Sequence, residues 1–225
     1  MVIYFVRHGF PNYETDRLTE LGKKQAAAAA ERLRDSGIER IYSSSSGRAA
    51  ETASYTADVL GLPITEKYDF IRELSWRLDN GEQLDALGVP ALYVENGESL
   101  DDESWREKEP YCRSMTVETV ERVTSGFDAF LSELGYERDG EYYRVTGDDT
   151  DHTVAMFSHV GASIAVLSHL FNIPFPKLCA MCTVNFTSIT AVSFSNEKGK
   201  LISPKIIVLN DARHLSGIEG ENIYG

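Results

Sequence analysis

Two apolar runs, far apart in the chain, each end in a histidine followed within two residues by a glycine. The first, Val2 to Val6, is rich in β-branched and aromatic side chains and stops at Arg7-His8-Gly9. Such a run reads as a fully buried strand. The second, His152 to Ser158, stops at His159-Val160-Gly161, and a helical pattern (Ile164, Leu167, Phe171) starts at once. In an open α/β sheet, reacting groups collect at the carboxyl ends of strands, so both imidazoles are expected at one edge. Gly9 removes a side chain beside the first of them and lets backbone or ligand approach.

The segments between these runs alternate in type. A helix is expected from Thr19, whose hydroxyl caps it, with Ala26, Ala29, Ala30 and Leu33 on its inner face and Gly37 after its end. A short strand at Ile41-Tyr42 leads through the polar run Ser43 to Ser46 into Gly47-Arg48 and a second helix. Its expected stripe is Ala50, Ala53, Ala57 and Leu60, ended by Gly61 and Pro63. A third strand follows over Ile64 to Phe70. Strand, helix, strand, helix predicts a mainly parallel sheet with helices on its faces. Asp79 to Asp102 reads as an irregular solvated excursion, and Thr116 to Leu134 as a long helix with Val120, Val123, Phe127 and Phe130 inward. Tyr142 to Val145 is a short strand or hairpin arm, Asn185 to Phe194 and Lys205 to Leu209 are strands, and the glycine-rich tail after Leu215 is expected to be loose.

At 225 residues the chain reads as one domain, 1–225. No stretch reaches the roughly 20 apolar residues of a membrane span, and the N-terminus lacks the basic segment of a signal peptide. Three cysteines are too few for a disulfide framework, which makes a reducing cytoplasm the expectation. The pair Cys179-Ala-Met-Cys182 has no partner pair or histidine at zinc spacing and is read as packing, with no metal. The net charge of −13 is concentrated: residues 69–151 hold 22 acids against 8 bases, the rest 13 against 14. That excess argues against nucleic acid or an anionic membrane as partner.

Two strand-end histidines, an arginine at a helix start (Arg48) and a carboxylate among apolar neighbours (Glu73) suit one reaction, phosphoryl transfer through a phosphohistidine. A neutral imidazole must attack phosphorus while fixed donors hold the charge on the phosphoryl oxygens. Arginine grips phosphate with a permanent charge and two parallel N–H groups, and a helix N-terminus adds amides. One carboxyl group can protonate the leaving alkoxide and then deprotonate water.

In this respect the chain resembles the histidine phosphatase superfamily, the phosphoglycerate mutase-like proteins, in the branch with Arg-His-Gly near the N-terminus. The matching text is Arg7-His8-Gly9, Leu18-Thr19-Glu20-Leu21-Gly22 with Gln25-Ala26, Ser43 to Ser46 with Gly47-Arg48-Ala49-Ala50-Glu51-Thr52-Ala53, Arg72-Glu73-Leu74, Phe157-Ser158-His159-Val160-Gly161, and Asn210-Asp211-Ala212-Arg213-His214-Leu215. The resemblance implies a three-layer α/β sandwich, a mixed, mostly parallel sheet with helices on both faces. It implies His8 as the nucleophile, Glu73 as proton donor and then base, and Arg7, Arg48, His159 and Val160 around the phosphoryl group. Asn12 is expected to line the pocket. No metal or organic cofactor is implied, and the partner is a small phosphorylated substrate. Beside two arginines and the dianion, His159 is expected protonated and Glu73 with a raised pKa.

The chain departs from the family at Glu73-Leu74-Ser75-Trp76-Arg77, where glycolytic mutases carry Glu-Arg-His-Tyr-Gly, and at Ser44-Ser45-Ser46 in place of Ser-Pro-Leu. With no extra basic residues in the loop after His8, hydrolysis is favoured over mutase transfer; a mutase, or a weakly active protein that binds phosphorylated ligands, is the alternative. The acidic stretch 76–150 falls where the family places its substrate-covering cap. Its charge favours a monophosphate ester with a neutral or cationic remainder, and Trp76, Tyr93, Trp105 and Tyr111 are expected to wall it. His152, His169 and His214 are read as structural or surface residues, and pairing of Arg48 with Glu51 or Asp58 on its own helix is the bland alternative to a phosphate contact.

Overall fold

The computed structural model describes residues 1–84, 88–101 and 103–218. In chain order its elements are β1 (Val2–Arg7), β2 (Pro11–Asn12), β3 (Arg17–Leu18), α1 (Glu20–Leu33), β4 (Arg40–Ser44), α2 (Gly47–Leu60), β5 (Ile64–Tyr68), α3 (Val89–Glu95), α4 (Thr116–Glu133), β6 (Tyr136–Asp139), β7 (Tyr142–Val145), β8 (Thr153–Ser158), α5 (Val160–Phe171), α6 (Phe175–Met181), β9 (Ile189–Ser193), β10 (Leu201–Ile202) and β11 (Lys205–Asp211). The tail expected to be loose lies beyond residue 218 for most of its length, outside the described residues.

One sheet carries the fold, in the order β11-β9-β1-β8-β4-β5. β1, β8, β4 and β5 run parallel, and β9 is antiparallel to both its neighbours. The mixed, mostly parallel sheet follows from the strand–helix alternation, and its twisted faces are both covered. Along β8 the side chains alternate: Val154 and Met156 join Phe5, Val123, Phe127 and Ile164 in one core, and Ala155 and Phe157 join Val6, Ile41, Ala53 and Ala57 in the other. Thus α4 and α5 form the layer on one face and α1 and α2 that on the opposite face. The small residues of α1 and α2 let these two helices lie close together on the sheet; Ala26, Ala29, Ala30, Ala49 and Ala53 are fully buried.

Local details correct the sequence expectations. β1 is not buried throughout: Val2 and Tyr4 are half-buried. The buried face of α2 is Ala49, Thr52, Ala53, Thr56 and Ala57, with Ala50 and Leu60 only partly covered, a rotation that turns the threonines inward. Residues 79–102 include the helix α3, begun by Pro90 in its first turn. β6, with no strong alternation of its own, pairs with β7 in a hairpin that β10 extends. Within the acidic stretch α4 lies under the sheet, where Phe127 packs on Phe5 at 5.7 Å between ring centres and Phe130 on Tyr42 at 4.9 Å. Each such aromatic contributes about 1.5–3 kcal/mol by leaving water. Among the described residues no single helix is long and apolar enough to cross a membrane.

Candidate active site

β1 and β8 are parallel neighbours in the middle of the sheet, and Arg7 sits directly opposite Ser158. The next residue of each strand is therefore a histidine at the same edge. His8 N–H donates to Ser158 O at 3.0 Å, tying the two ends together, and the two imidazole centres are 5.1 Å apart. β4 runs parallel on the far side of β8 and leads through Ser44 to Ser46 into α2, which brings Arg48 to the same place.

The side chains interlock. His8 Nδ1 lies 2.8 Å from the carbonyl of Gly9, a pure acceptor, so Nδ1 carries the proton and Nε2 the lone pair. Arg48 Nε donates to His8 Nε2 at 3.2 Å, and its Nη2 lies 3.0 Å from His159 Nδ1. Arginine only donates, so His159 Nδ1 accepts, and its Nε2–H donates to Ser44 Oγ at 2.9 Å. Arg7 Nη1 donates to Val184 O at 2.5 Å, and its guanidinium lies 3.8 Å from the centre of the Phe186 ring. Its Nε is buried with no partner among the described residues. A buried donor left unpaired costs about 1–3 kcal/mol, a cost that an anion here would relieve.

Glu73 follows β5 and the short turn at Asp69 to Arg72. Its Oε1 accepts from its neighbour Leu74 N at 2.9 Å and from Ala162 N, in the first turn of α5, at 3.3 Å. Burial raises its pKa, and those two amides together with Arg7 and Arg48 only partly offset the rise. Burial also pushes His8 down to about 3 against the help of the Gly9 carbonyl, with Arg7 and Arg48 pushing the same way. His159 is held well below its ordinary value by burial first, then by His8 and the arginines. The expectation of a protonated His159 is thus corrected: without an anion beside it, the ring is neutral. Arg7, lowered to about 10 by burial, keeps its charge at neutral pH.

The bland alternative for Arg48 is also overturned. Glu51 Oε2 accepts from Leu18 N at 3.0 Å, whereas Arg48 Nη1 bonds Asp16 Oδ1 at 2.5 Å. Asp16, which the sequence reading passed over, also accepts from Gly47 N at 2.6 Å through Oδ2, from a backbone at φ 52°. Partial burial opposes its charge, but the Gly47 amide and Arg48 outweigh this and lower its pKa. The one available signal was an Asp in a tight loop, a residue type that tolerates this left-handed backbone. Thr52 and Gln25 support from behind: Gly9 N donates to Thr52 Oγ1 at 3.1 Å and Phe10 N to Gln25 Oε1 at 2.7 Å. A β-carbon on Gly9 would fall 2.5 Å from Gly22 O, which is why α1 can press against this loop.

Other expected residues lie elsewhere. Asn12 is exposed, and its Oδ1 accepts from Glu14 N and Thr15 N at 3.0 and 3.3 Å, shaping the loop that carries Asp16. Val160 opens α5 directly after His159. The aromatic wall is not built as expected: Tyr93, Trp105 and Tyr111 are buried in the core, with Trp105 edge-on to Tyr111 at 5.2 Å. Of that set only Trp76 remains by the site, against Gly161. His152 pairs with Glu39, His169 with Asp128, and His214 Nε2 with Thr187, all away from the two central rings. Among the described residues no cluster of His, Cys, Asp and Glu is disposed to hold a metal ion.

Residues 3–206 match the family model of the histidine phosphatase superfamily (branch 1). A probable phosphoglycerate mutase of Erwinia tasmaniensis is 30% identical over 148 residues, covering 58% of this chain and 63% of that protein. Its counterpart in Yersinia pestis is 31% identical over 115 residues, covering 47% and 48%. The matches thus span about half to three-fifths of these curated relatives. Among solved structures, a mycobacterial glucosyl-3-phosphoglycerate phosphatase superposes with a TM-score of 0.64 at 21% identity, over 93% of this chain and 98% of that one. Phosphoserine phosphatase from Entamoeba histolytica, solved with 3-phosphoglyceric acid, gives 0.63 at 18% identity over 95% and 98%. These structures share the fold.

Proposed function

Because this chain belongs to the histidine phosphatase superfamily, we propose that it hydrolyses the phosphate monoester of a small metabolite through a phosphohistidine on His8. The observation that carries this reading is the protonation pattern of His8. Its proton sits on Nδ1 against the Gly9 carbonyl, and its buried ring stays neutral, so Nε2 holds the lone pair, which accepts from Arg48 Nε until a phosphoryl group takes that donor's place.

In the first step Nε2 attacks phosphorus; the N–P bond forms and the bond to the ester oxygen breaks. The Glu73 carboxyl, whose protonated form burial favours, gives its proton to the departing alkoxide. Arg7, Arg48, His159 and the opening amides of α5 at Val160 hold the phosphoryl oxygens. An approaching dianion draws a proton onto His159, converting an acceptor into a donor where charge develops. In the second step Glu73, now a carboxylate, takes a proton from water. The new P–O bond forms, His8 Nε2 leaves, and inorganic phosphate departs.

Hydrolysis is favoured over mutase transfer because a mutase must retain a partly transferred, doubly anionic intermediate. The loop from Phe10 to Arg17 has one basic residue, and the Arg17 side chain is mostly exposed and 4.0 Å from Glu51. The test is a panel of phosphate esters assayed with the wild type and with His8→Ala. Inorganic phosphate release that vanishes in the variant supports the reading. Release that survives removes His8 from the chemistry, and phosphoryl transfer to phosphoglycerate without net release turns the assignment to a mutase.

A further inference from the structure

We propose that the alcohol half of the substrate is compact, uncharged and largely apolar, and that it sits in a cavity beside Arg7 whose character is set by Cys179 and Cys182. The inference rests on the reading of His8 as phosphoryl acceptor and deepens it. The cavity holds about 270 Å³, below the range that encloses drug-sized ligands, so it suits a small metabolite. Its walls are Val160 and Ile164 of α5, Val184, and the two cysteines at the end of α6. Two uncharged polar residues, Thr183 and Asn185, complete the lining with Arg7.

Its place is fixed by the catalytic groups. Arg7 and Val160, assigned to the phosphoryl group, are both part of its wall. An ester oxygen protonated by Glu73 would therefore have its carbon chain next to this cavity. Burial first, then Cys182 and Glu73, holds the Cys179 thiol above its ordinary pKa, and burial raises Cys182 as well. Both remain neutral at physiological pH and behave as small hydrophobes. The C-x-x-C spacing, which suggested neither metal nor disulfide framework, thereby gains a use as an apolar floor.

The same lining discriminates against a second anion. Among the described residues Arg7 is the one charged residue of the lining, and in the proposed chemistry it is taken up by the phosphoryl group. A substrate carboxylate would lose water against thiols and aliphatic groups with no cation of its own. Glucosyl-3-phosphoglycerate and phosphoserine, which the structural relatives are named for, carry a carboxylate and meet that obstacle here.

The experiment compares kcat/KM for 3-methylbutyl phosphate, phosphoserine and 3-phosphoglycerate in the wild type, Cys182→Arg, Ile164→Trp and His8→Ala. The neutral ester is expected to exceed both carboxylates by about tenfold or more in the wild type. Cys182→Arg should shift the ratio toward 3-phosphoglycerate by a similar factor, and Ile164→Trp, which fills the cavity, should depress the neutral ester by about tenfold more than it depresses methyl phosphate. A wild type that prefers either carboxylate overturns the inference, whatever the variants do. A ratio that Cys182→Arg leaves unmoved, in a variant whose far-ultraviolet spectrum and melting point match the wild type, overturns the role of the cysteines. Hydrolysis surviving in His8→Ala sinks the functional reading instead, which keeps the two failures apart.

Discussion

Gly161 and Glu73 are in such close contact that a β-carbon on the glycine would lie 2.7 Å from Glu73 Oε1 and 2.6 Å from the ring of Trp76. The carboxyl group is thus seated on bare backbone at the start of α5, where the Ala162 amide reaches it. Gly161→Ala must push either Glu73 or Trp76 aside. A displacement near 1 Å is enough to lose about 10²-fold in rate. The expected result is a kcat lowered by about that factor with inorganic phosphate binding little changed, read by steady-state kinetics and product inhibition.

Glu73→Gln keeps the shape and removes the transferable proton. Turnover should fall by about 10²–10⁴-fold, the usual worth of a positioned acid–base group. Stability moves the other way. The folded state raises the Glu73 pKa, so its contribution is complete below the unfolded value and is lost as pH rises toward the folded one. Wild type and variant should melt together in acid, with Glu73→Gln the more stable at neutral pH; calorimetry across pH reads the difference.

Much of this was legible in the chain because the site is built from strand ends. Buried parallel strands must be apolar, so Val2 to Val6 and Val154 to Phe157 announce themselves, and each histidine follows from where its run stops. The small-residue faces of α1 and α2 were equally plain, although Thr52 and Thr56 turned inward in α2, where the Thr52 hydroxyl donates to Arg48 O while Thr56 is buried with its Oγ1 unpaired among the described residues. The aromatic residues misled: Tyr93, Trp105 and Tyr111 looked like a substrate wall, yet they are buried in the same core as Val120, Val123 and Phe127 of α4 and anchor the acidic segment to it. Asp16 was missed because its partner, Arg48, is 32 residues away, and no periodicity records a contact between a loop and a helix start.

Asp16 holds Arg48 without touching the phosphoryl group in the proposed chemistry. Its two oxygens divide between the guanidinium and the Gly47 amide, so it fixes both the side chain and the helix start that carries it. Asp16→Ala should free the arginine and lower kcat/KM by about tenfold, the value of one charge-assisted hydrogen bond. Asp16→Asn, which keeps one acceptor oxygen, should recover part of the loss. A purely structural role would lower the melting point in both variants and leave the kinetics of the folded fraction unchanged.

The two central imidazoles should make the protein acid-sensitive well before its carboxylates titrate. His8 falls to about 3 and His159 falls well below its ordinary value, both through burial. In the unfolded chain both rings take up protons near pH 6.5. The unfolded state therefore binds more protons than the folded one throughout the interval below that value, and stability declines as pH drops through it. The stabilising contribution is fully present above the unfolded pKa and is lost toward the folded one. His159→Gln keeps a hydrogen-bonding side chain but cannot protonate, so its stability should fall with a slope shallower by up to one proton between about pH 6 and 4. Urea denaturation at several pH values measures that slope. Vanadate or phosphate in excess should narrow the contrast, because an anion that draws a proton onto His159 binds more tightly as pH falls from 7 to 6 in the wild type, offsetting its acid loss of stability, and loses that dependence in the variant.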